Sequence, residues 1–311
     1  MRVALVKQIV ILGPTASGKS DVAMALGAER GGPGEHGDIE IVAVDAMQVY
    51  RGMDIGTAKP SLADQAAVPH HCIDLVGPHE LFTVAEFQRE ALVALAGIAQ
   101  REHTAVLVAG TGMYLTAVID NFTLPGEWPA LRAELEAVTD ISQLYARLVE
   151  IDPAAAAKIE PTNQRRLVRA LEVCLGSGKP FSSFGPGATA FPPIPAVQIG
   201  LRWPRALLAQ RVEQRVHLMI ERGLVNEVRA LLESSEGLSR TARQALGYRE
   251  LIAALEGTCS IDQAVAEIIV RTRQFAVRQE RWFRRDPRIQ WVDITADPVA
   301  EVLPVVRQHL A

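Results

Sequence analysis

Apolar residues in this chain fall into two patterns, short near-continuous runs and helical spacing. Gln8–Leu12, Ile39–Val44 and Thr104–Ala109 are runs of five or six residues dominated by Ile, Val and Ala. Such runs predict strands buried on both faces, as in a parallel sheet. Cys72–Val76 reads as a further short strand. Asp21–Ala28 and Thr83–Glu102 read as helices, the second with Phe87, Ala91, Leu95 and Ile98 on one face. Strands alternating with helices predict an α/β fold. After Asn121 the pattern changes, and Pro125–Pro195 shows no strand signal. Helices are predicted there over Pro129–Val138, Ile141–Glu150, Pro153–Ile159 and Asn163–Leu175, followed by a Pro/Gly-rich stretch from Gly176 to Pro195. Ala196–Trp203 then reads as a strand that returns to the sheet. Helices follow over Pro204–Arg222, Val225–Glu233, Tyr248–Leu255 and Ile261–Arg285, with Ile289–Val292 as a last edge strand. The expected organisation is an α/β core from residues 1–124 and 196–311, helical in its C-terminal part, interrupted by a helical insertion domain at 125–195.

Composition narrows the class. At 311 residues the chain suits one large or two intimate domains. Hydrophobic residues make up 49% and aromatic residues only 5%, so the core must be mainly aliphatic. A net charge of −4 argues against a uniformly basic coat but leaves room for a local basic face. Cys72, Cys174 and Cys259 lie far apart, which speaks against a disulfide scaffold or a zinc ribbon. The apolar stretch Ala105–Ile119 is broken by Gly110, Thr111, Gly112 and Tyr114 and is too short to span a bilayer. The start shows no targeting signal. The expectation is a cytoplasmic protein with no membrane contact. Glu29–Asp38 reads as a glycine-rich connection rather than a ligand site.

The chemistry begins directly after the first strand. Gly13-Pro14-Thr15-Ala16-Ser17-Gly18-Lys19-Ser20 matches the G-x-x-x-x-G-K-[ST] phosphate loop, between a strand and a helix. Glycines let the backbone wrap an anion, while successive N–H groups and the helix N-terminus supply positive potential. Lys19 adds a full charge, and the Ser20 hydroxyl is a candidate Mg²⁺ ligand. A nucleotide-hydrolysing enzyme would also carry a strand ending in a metal-holding Asp. Thr104–Ala109 instead ends in Gly-Thr-Gly, and only Ile39–Val44 ends at an acid, Asp45. That pattern points to a use of the phosphate loop other than phosphoryl transfer. In a parallel sheet the carboxyl ends of strands face the ligand, so Asp45 and Thr111 are candidates to reach it, though either could simply shape its turn. Of the 32 basic residues only Lys7, Lys19, Lys59, Lys158 and Lys179 are lysines. Arginines cluster at Arg165, Arg166 and Arg169, and again between Arg271 and Arg288. Arginine forks suit phosphates and stack on bases, although solvated helix faces also carry them. His70 and His71 read as structural.

Together these segments resemble one family, the bacterial-type tRNA dimethylallyltransferases, also called tRNA isopentenyltransferases. The matching stretches include GPTASGKS at 13–20, DAMQVYRGMDIGTAKP at 45–60, PHHCID at 69–74, AGTGMYL at 109–115 and RRLVRALEV at 165–173. DP-AAA-KI at 152–159, R-EQRV at 211–216, G-VNEVRAL at 223–231, Q-LGYRE at 244–250 and RTRQ-A-RQ-RWFR at 271–284 complete the set. The Gly-rich connection is longer than the family pattern, Ala109 stands where the family usually has Gly, and the zinc finger of eukaryotic relatives is absent.

The resemblance implies transfer of a dimethylallyl group from dimethylallyl diphosphate to N6 of the adenosine 3′-adjacent to the anticodon, with release of diphosphate. It implies Asp45 as general base, Thr111 and Arg215 beside the bridging oxygen, the phosphate loop on the diphosphate, and Mg²⁺ held at Ser20. It also places Asp45, Ala46, Met47, Gln48, Thr111, Arg132, Arg165, Arg166, Leu167, Val168, Arg169, Arg243, Gln244, Ala245, Leu246, Gly247 and Tyr248 against the anticodon stem-loop of tRNA. The basic C-terminal helix would bind phosphates, and Tyr50, Tyr248 and Gln48 are alternatives for supporting the flipped base. The enzyme is expected to act as a monomer. The alternatives from other classes are a small-molecule or nucleotide kinase with a helical lid, and a non-catalytic RNA-binding module.

Overall fold

The computed structural model of the chain describes residues 8–30, 37–184 and 190–310. Most of the Gly-rich connection and part of the Pro/Gly-rich stretch therefore lie outside the described residues. The described chain divides into two compact units, 1–119 with 193–311, and 120–192.

The first unit opens with β1 (Gln8–Leu12), α1 (Lys19–Arg30), β2 (Ile39–Val44), α2 (Leu62–Ala67), β3 (His70–His71), α3 (Val84–Gln100), β4 (Thr104–Ala109) and α4 (Gly112–Ile119). The second unit is helical: α5 (Pro129–Glu136), α6 (Ile141–Ile151), α7 (Pro153–Ala156) and α8 (Gln164–Ser177). The chain returns to the first unit with β5 (Val197–Arg202), α9 (Arg205–Glu221), α10 (Leu224–Glu233), α11 (Arg240–Arg243), α12 (Tyr248–Leu255), α13 (Ile261–Phe283), β6 (Ile289–Asp293) and α14 (Pro298–Gln308). All the strand pairs are parallel, in the order β3-β2-β4-β1-β5-β6, so β6 is an edge strand.

The strands read from apolar runs are present because both faces of the sheet are covered. Side chains alternate across a strand. Val10, Leu12, Val42, Val44, Leu107 and Ala109 enter one core under α3, α10, α12 and α13. Ile9, Ile11, Ile39, Ile41 and Val106 enter the other, under α1 and α14. In the second unit Leu144, Leu148, Leu167, Val168 and Leu171 form a separate core.

One strand is misplaced by the sequence pattern. The pairing segment is His70–His71, and Cys72–Val76 leaves the sheet. Cys72 and Asp74 take positive φ values of 64° and 54°, which no regular strand tolerates. Four helices are not among those expected from the sequence. Helix α4 is apolar on nearly every side and starts at Gly112, α2 buries no residue, α11 is four residues long, and α14 contains Pro304.

At the amino end of β2, Glu40 is 3% exposed and ties three elements together. It accepts from Arg101 Nε at 2.7 Å and is bonded to His71 Nε2 at 2.6 Å and His103 Nδ1 at 2.8 Å. Burial alone would raise its pKa, but the hydrogen bonds from Arg101, His71 and His103 outweigh it and hold the carboxyl at about 2. Its folded pKa is thus depressed below 4.5, so its stabilisation is complete above that pH and is lost as pH falls toward about 2. Glu40→Gln should remove about 2–3 kcal/mol of stability at neutral pH and flatten the acid limb of unfolding. Denaturant unfolding of both proteins at pH 7 and pH 3 checks this: the gap should narrow at the lower pH.

Candidate active site

The parallel register determines which loops meet. Leu12 pairs with Ala109, and Ala109 with Val44, so three strands end at one level. Gly13, Gly110 and Asp45 therefore leave the sheet side by side. The Gly13 N–H donates to the Ala109 carbonyl at 3.3 Å, and the Gly110 and Thr111 N–H groups both donate to the Val44 carbonyl at 3.3 Å.

The phosphate loop between β1 and α1 bends through Ala16 at φ 62° and Gly18 at φ 90°. The left-handed conformation costs a non-glycine residue roughly 1 kcal/mol, so Ala16 must be held by its surroundings. Two side chains do this from outside the loop. Arg211 Nε donates to the Ala16 carbonyl at 2.9 Å, and the Trp203 indole N–H donates to the Ser17 carbonyl at 2.9 Å. The Arg211 guanidinium also stacks on the Trp203 ring at 4.5 Å.

Four polar groups converge on the mouth of this loop. Asp45 accepts through Oδ1 from the Met47 and Gln48 N–H groups, at 2.8 and 3.3 Å. Its Oδ2 makes no hydrogen bond among the described residues and lies 3.6 Å from where a Cβ on Gly110 would sit. Thr111 Oγ1 accepts from the Ala46 N–H at 3.2 Å, which leaves its own proton to donate. Burial, together with Arg215, pushes the Lys19 ammonium down to about 8, against the opposing pull of Asp45 and Asp21. Burial likewise lowers Arg215, which Asp45 and Asp21 counter. Arg215 stays cationic because its intrinsic pKa is so high. Lys19 and Arg215 are thus two partly buried cations close enough to act on each other, an arrangement suited to an anion. Ser20 presents an exposed hydroxyl in the first turn of α1. A hydroxyl plus substrate oxygens and water suits Mg²⁺. Among the described residues no three His, Cys, Asp or Glu side chains gather into a metal cage.

The loop after Asp45 is held by a dense set of hydrogen bonds. Gln48 Nε2 donates to the carbonyls of Thr57 and Ala58, at 3.1 and 3.2 Å. Lys59, whose side chain is 2% exposed, spends its three protons on the Tyr50 carbonyl, Asp54 and Asp74. Glu227 on α10 accepts from the N–H groups of Asp54, Ile55 and Gly56 and from the Tyr248 hydroxyl, the last at 2.6 Å. Gly56 is required because any Cβ there would come within 2.5 Å of the Tyr248 ring. The sequence reading passed over Glu227 and Trp203 as chemistry-bearing residues; their roles depend on distant partners.

Several residues assigned to tRNA are internal. Tyr248 is 1% exposed, burial and Glu227 raise its hydroxyl pKa, and its ring supports Gly56 instead of facing solvent. Tyr50 is also fully buried. Neither ring can stack on a base as it stands, whereas Gln48 remains partly exposed. Leu167 and Val168 belong to the core of the second unit, and Ala245 and Gly247 are buried. Arg132 and Arg169 both pair with Glu172, whose side chain is fully buried, at 2.8 and 2.9 Å. Arg165 and Arg166 are exposed on α8, Gln244 is exposed, Leu246 is half-buried, and Arg243 pairs with Glu256. On α13 and the turn after it, Arg271, Arg273, Arg284 and Arg288 each pair with a carboxylate, Arg285 lies over the Trp282 ring, and Arg278 and Arg281 are exposed with no carboxylate partner among the described residues.

Known proteins resemble this chain over nearly its whole length. A model of the IPP transferase family matches residues 48–286. A protein of Kineococcus radiotolerans named tRNA dimethylallyltransferase is 45% identical, with 96% of each chain covered. The solved tRNA isopentenylpyrophosphate transferase of Bacillus halodurans is 35% identical, covers 98% of this chain and 97% of its own, and has a TM-score of 0.70. A eukaryotic dimethylallyltransferase solved acting on tRNA is 26% identical with a TM-score of 0.80, covering 98% of this chain and 77% of its own. With a match that takes in the Asp45 loop's successor residues, the Thr111 turn, Arg215 and the arginine-rich helix, the chain belongs to the IPP transferase family.

Proposed function

We propose that this chain modifies tRNA by moving a dimethylallyl group from dimethylallyl diphosphate to N6 of the adenosine on the 3′ side of the anticodon. The observation that carries this reading is the set Lys19, Arg215, Thr111 and Asp45 at one mouth, with a single free carboxylate oxygen. That set suits cleavage of an allylic C–O bond better than attack at phosphorus. As the N6–carbon bond forms, the C–O electron pair goes to the bridging oxygen. The phosphate-loop amides, Lys19 and Arg215 stabilise the charge that develops there, and Thr111 donates a hydrogen bond to it. Asp45 Oδ2 orients the amine and takes its proton, while Met47 and Gln48 hold Oδ1 in place. Ser20 would hold Mg²⁺, which supplies further positive charge to the leaving group when bound. On the RNA side, Arg165, Arg166, Arg278 and Arg281 are exposed cations suited to phosphates. The target base must leave its stack, at a cost of a few kcal/mol. The experiment that tests the whole reading is transfer of label from dimethylallyl diphosphate into an anticodon stem-loop.

Three outcomes follow from the roles of single residues. Lys19→Ala should weaken donor binding and slow transfer while tRNA affinity stays nearly unchanged. In the wild type, donor affinity should fall as pH rises through about 8, where the free Lys19 loses its proton, and the variant should lack that fall. Equilibrium binding of donor and of tRNA between pH 7 and pH 9 measures both.

Asp45→Asn should act on the chemical step. Loss of a general base typically slows turnover about 10²–10⁴-fold, with donor and tRNA affinities here staying within about threefold. Single-turnover transfer alongside binding of each substrate separates this from metal binding, in which case Mg²⁺-dependent donor affinity would fall instead.

The tRNA affinity should decline steeply with salt despite the net charge of −4. Replacing Arg165 or Arg166 by Ala should each reduce the slope of log affinity against log salt by about 0.7–0.9. Arg132→Ala should mainly destabilise the helical unit, because it uncovers Glu172.

A further inference from the structure

Gln279 lies on α13 and is 7% exposed, yet both ends of its carboxamide are committed to loops of the active site. Its Oε1 accepts from the Thr15 N–H of the phosphate loop at 2.8 Å. Its Nε2 donates to the Gly110 carbonyl at 2.7 Å, one residue before Thr111. The two loops follow different strands, β1 and β4. The space beside Gly110 is shared: Gln279 Nε2, Lys19 Cε and Asp45 Oδ2 lie 3.4, 3.5 and 3.6 Å from where its Cβ would be.

We propose that Gln279 is a positioning residue for prenyl transfer, joining the phosphate loop to the Thr111 turn. It thereby sets the distance between the leaving diphosphate and the Thr111 hydroxyl. The inference rests on the transfer reading above. The two contacts call for one acceptor and one donor on the same side chain. The Thr15 N–H needs an acceptor and the Gly110 carbonyl needs a donor, at the fixed spacing that one carboxamide offers. Without the donor, the Gly110 carbonyl would stand unpaired beside a highly charged anion and repel it. A carboxylate meets the first need and fails the second, whereas a protonated carboxyl meets both.

The test compares wild type, Gln279→Met and Gln279→Glu in single-turnover transfer to an anticodon stem-loop, at saturating donor and RNA, from about pH 6 to about pH 8. Gln279→Met should be slower by about tenfold to a hundredfold at every pH, the scale of a small misplacement of reacting groups. Gln279→Glu should be as slow at the upper pH and recover relative to wild type as pH falls and its carboxyl gains a proton. Stem-loop affinity should stay within about twofold of wild type in both variants. Variants that match wild type at every pH would overturn the proposal. So would a loss of equal size at every pH in both variants, or a loss confined to RNA affinity. A wild type that transfers no label defeats the transfer reading itself, whereas a competent wild type with unaffected variants defeats only the role of Gln279.

Discussion

The parallel hydrogen-bond register of β2, β4 and β1 is the constraint on which the site depends. It ends Val44, Ala109 and Leu12 at one level. Adjacent strands lie roughly 4.8 Å apart, so the Gly110–Thr111 turn after β4 emerges about that far from Asp45 on one side and from the phosphate loop on the other. In the function proposed above, the diphosphate would lie on one side and the attacking amine on the other, with Thr111 between them. A one-residue slip would reverse the direction of every side chain on the strand, so the buried faces that hold the register also hold the site.

Rigidity around that edge comes from buried polar groups with full sets of partners. Lys59 has three acceptors for three protons, and Glu227 has four donors for its two oxygens. Trp203 and Arg211 brace the phosphate loop from outside, and Gln279 joins it to the next loop. A buried polar group with a partner missing is costly, so each of these contacts resists change. The loops can thus be both polar and fixed, which a site that stabilises developing charge without reorganising requires.

Charge is managed differently at the surface. Many arginines that look free along the chain are spent on carboxylates of the same unit, Glu172 on α8 and Glu213, Glu267 and Glu280 around α13. Those pairs fix helices, while Arg165 and Arg166 on α8 and Arg278 and Arg281 on α13 stay exposed. A net charge of −4 is compatible with such exposed cations because many of the acids are paired with other arginines.

Much of the architecture was legible in the chain because its signals are local. The strands Gln8–Leu12, Ile39–Val44 and Thr104–Ala109 are apolar runs that cover two faces, and the phosphate loop is a contiguous motif. The position of Asp45 at a strand end was legible for the same reason. Helix α4 was hidden because an element that is apolar on nearly every side shows no periodic polar face. The displacement of β3 to His70–His71 was hidden because the positive φ at Cys72 and Asp74 comes from tertiary packing. Tyr248 looked available to a base because an aromatic beside a Gly-Tyr-Arg-Glu run has no burial written into it; Gly56 and Glu227, far along the chain, put it inside. The sequence by itself therefore determined which chemistry is present and which segments carry it, since motif, period and residue type are short-range properties. Only the tertiary structure decided which polar side chains face the substrate and which hold the loops, because that depends on partners brought close by folding, as Gln279 is to Thr15 from 264 residues away.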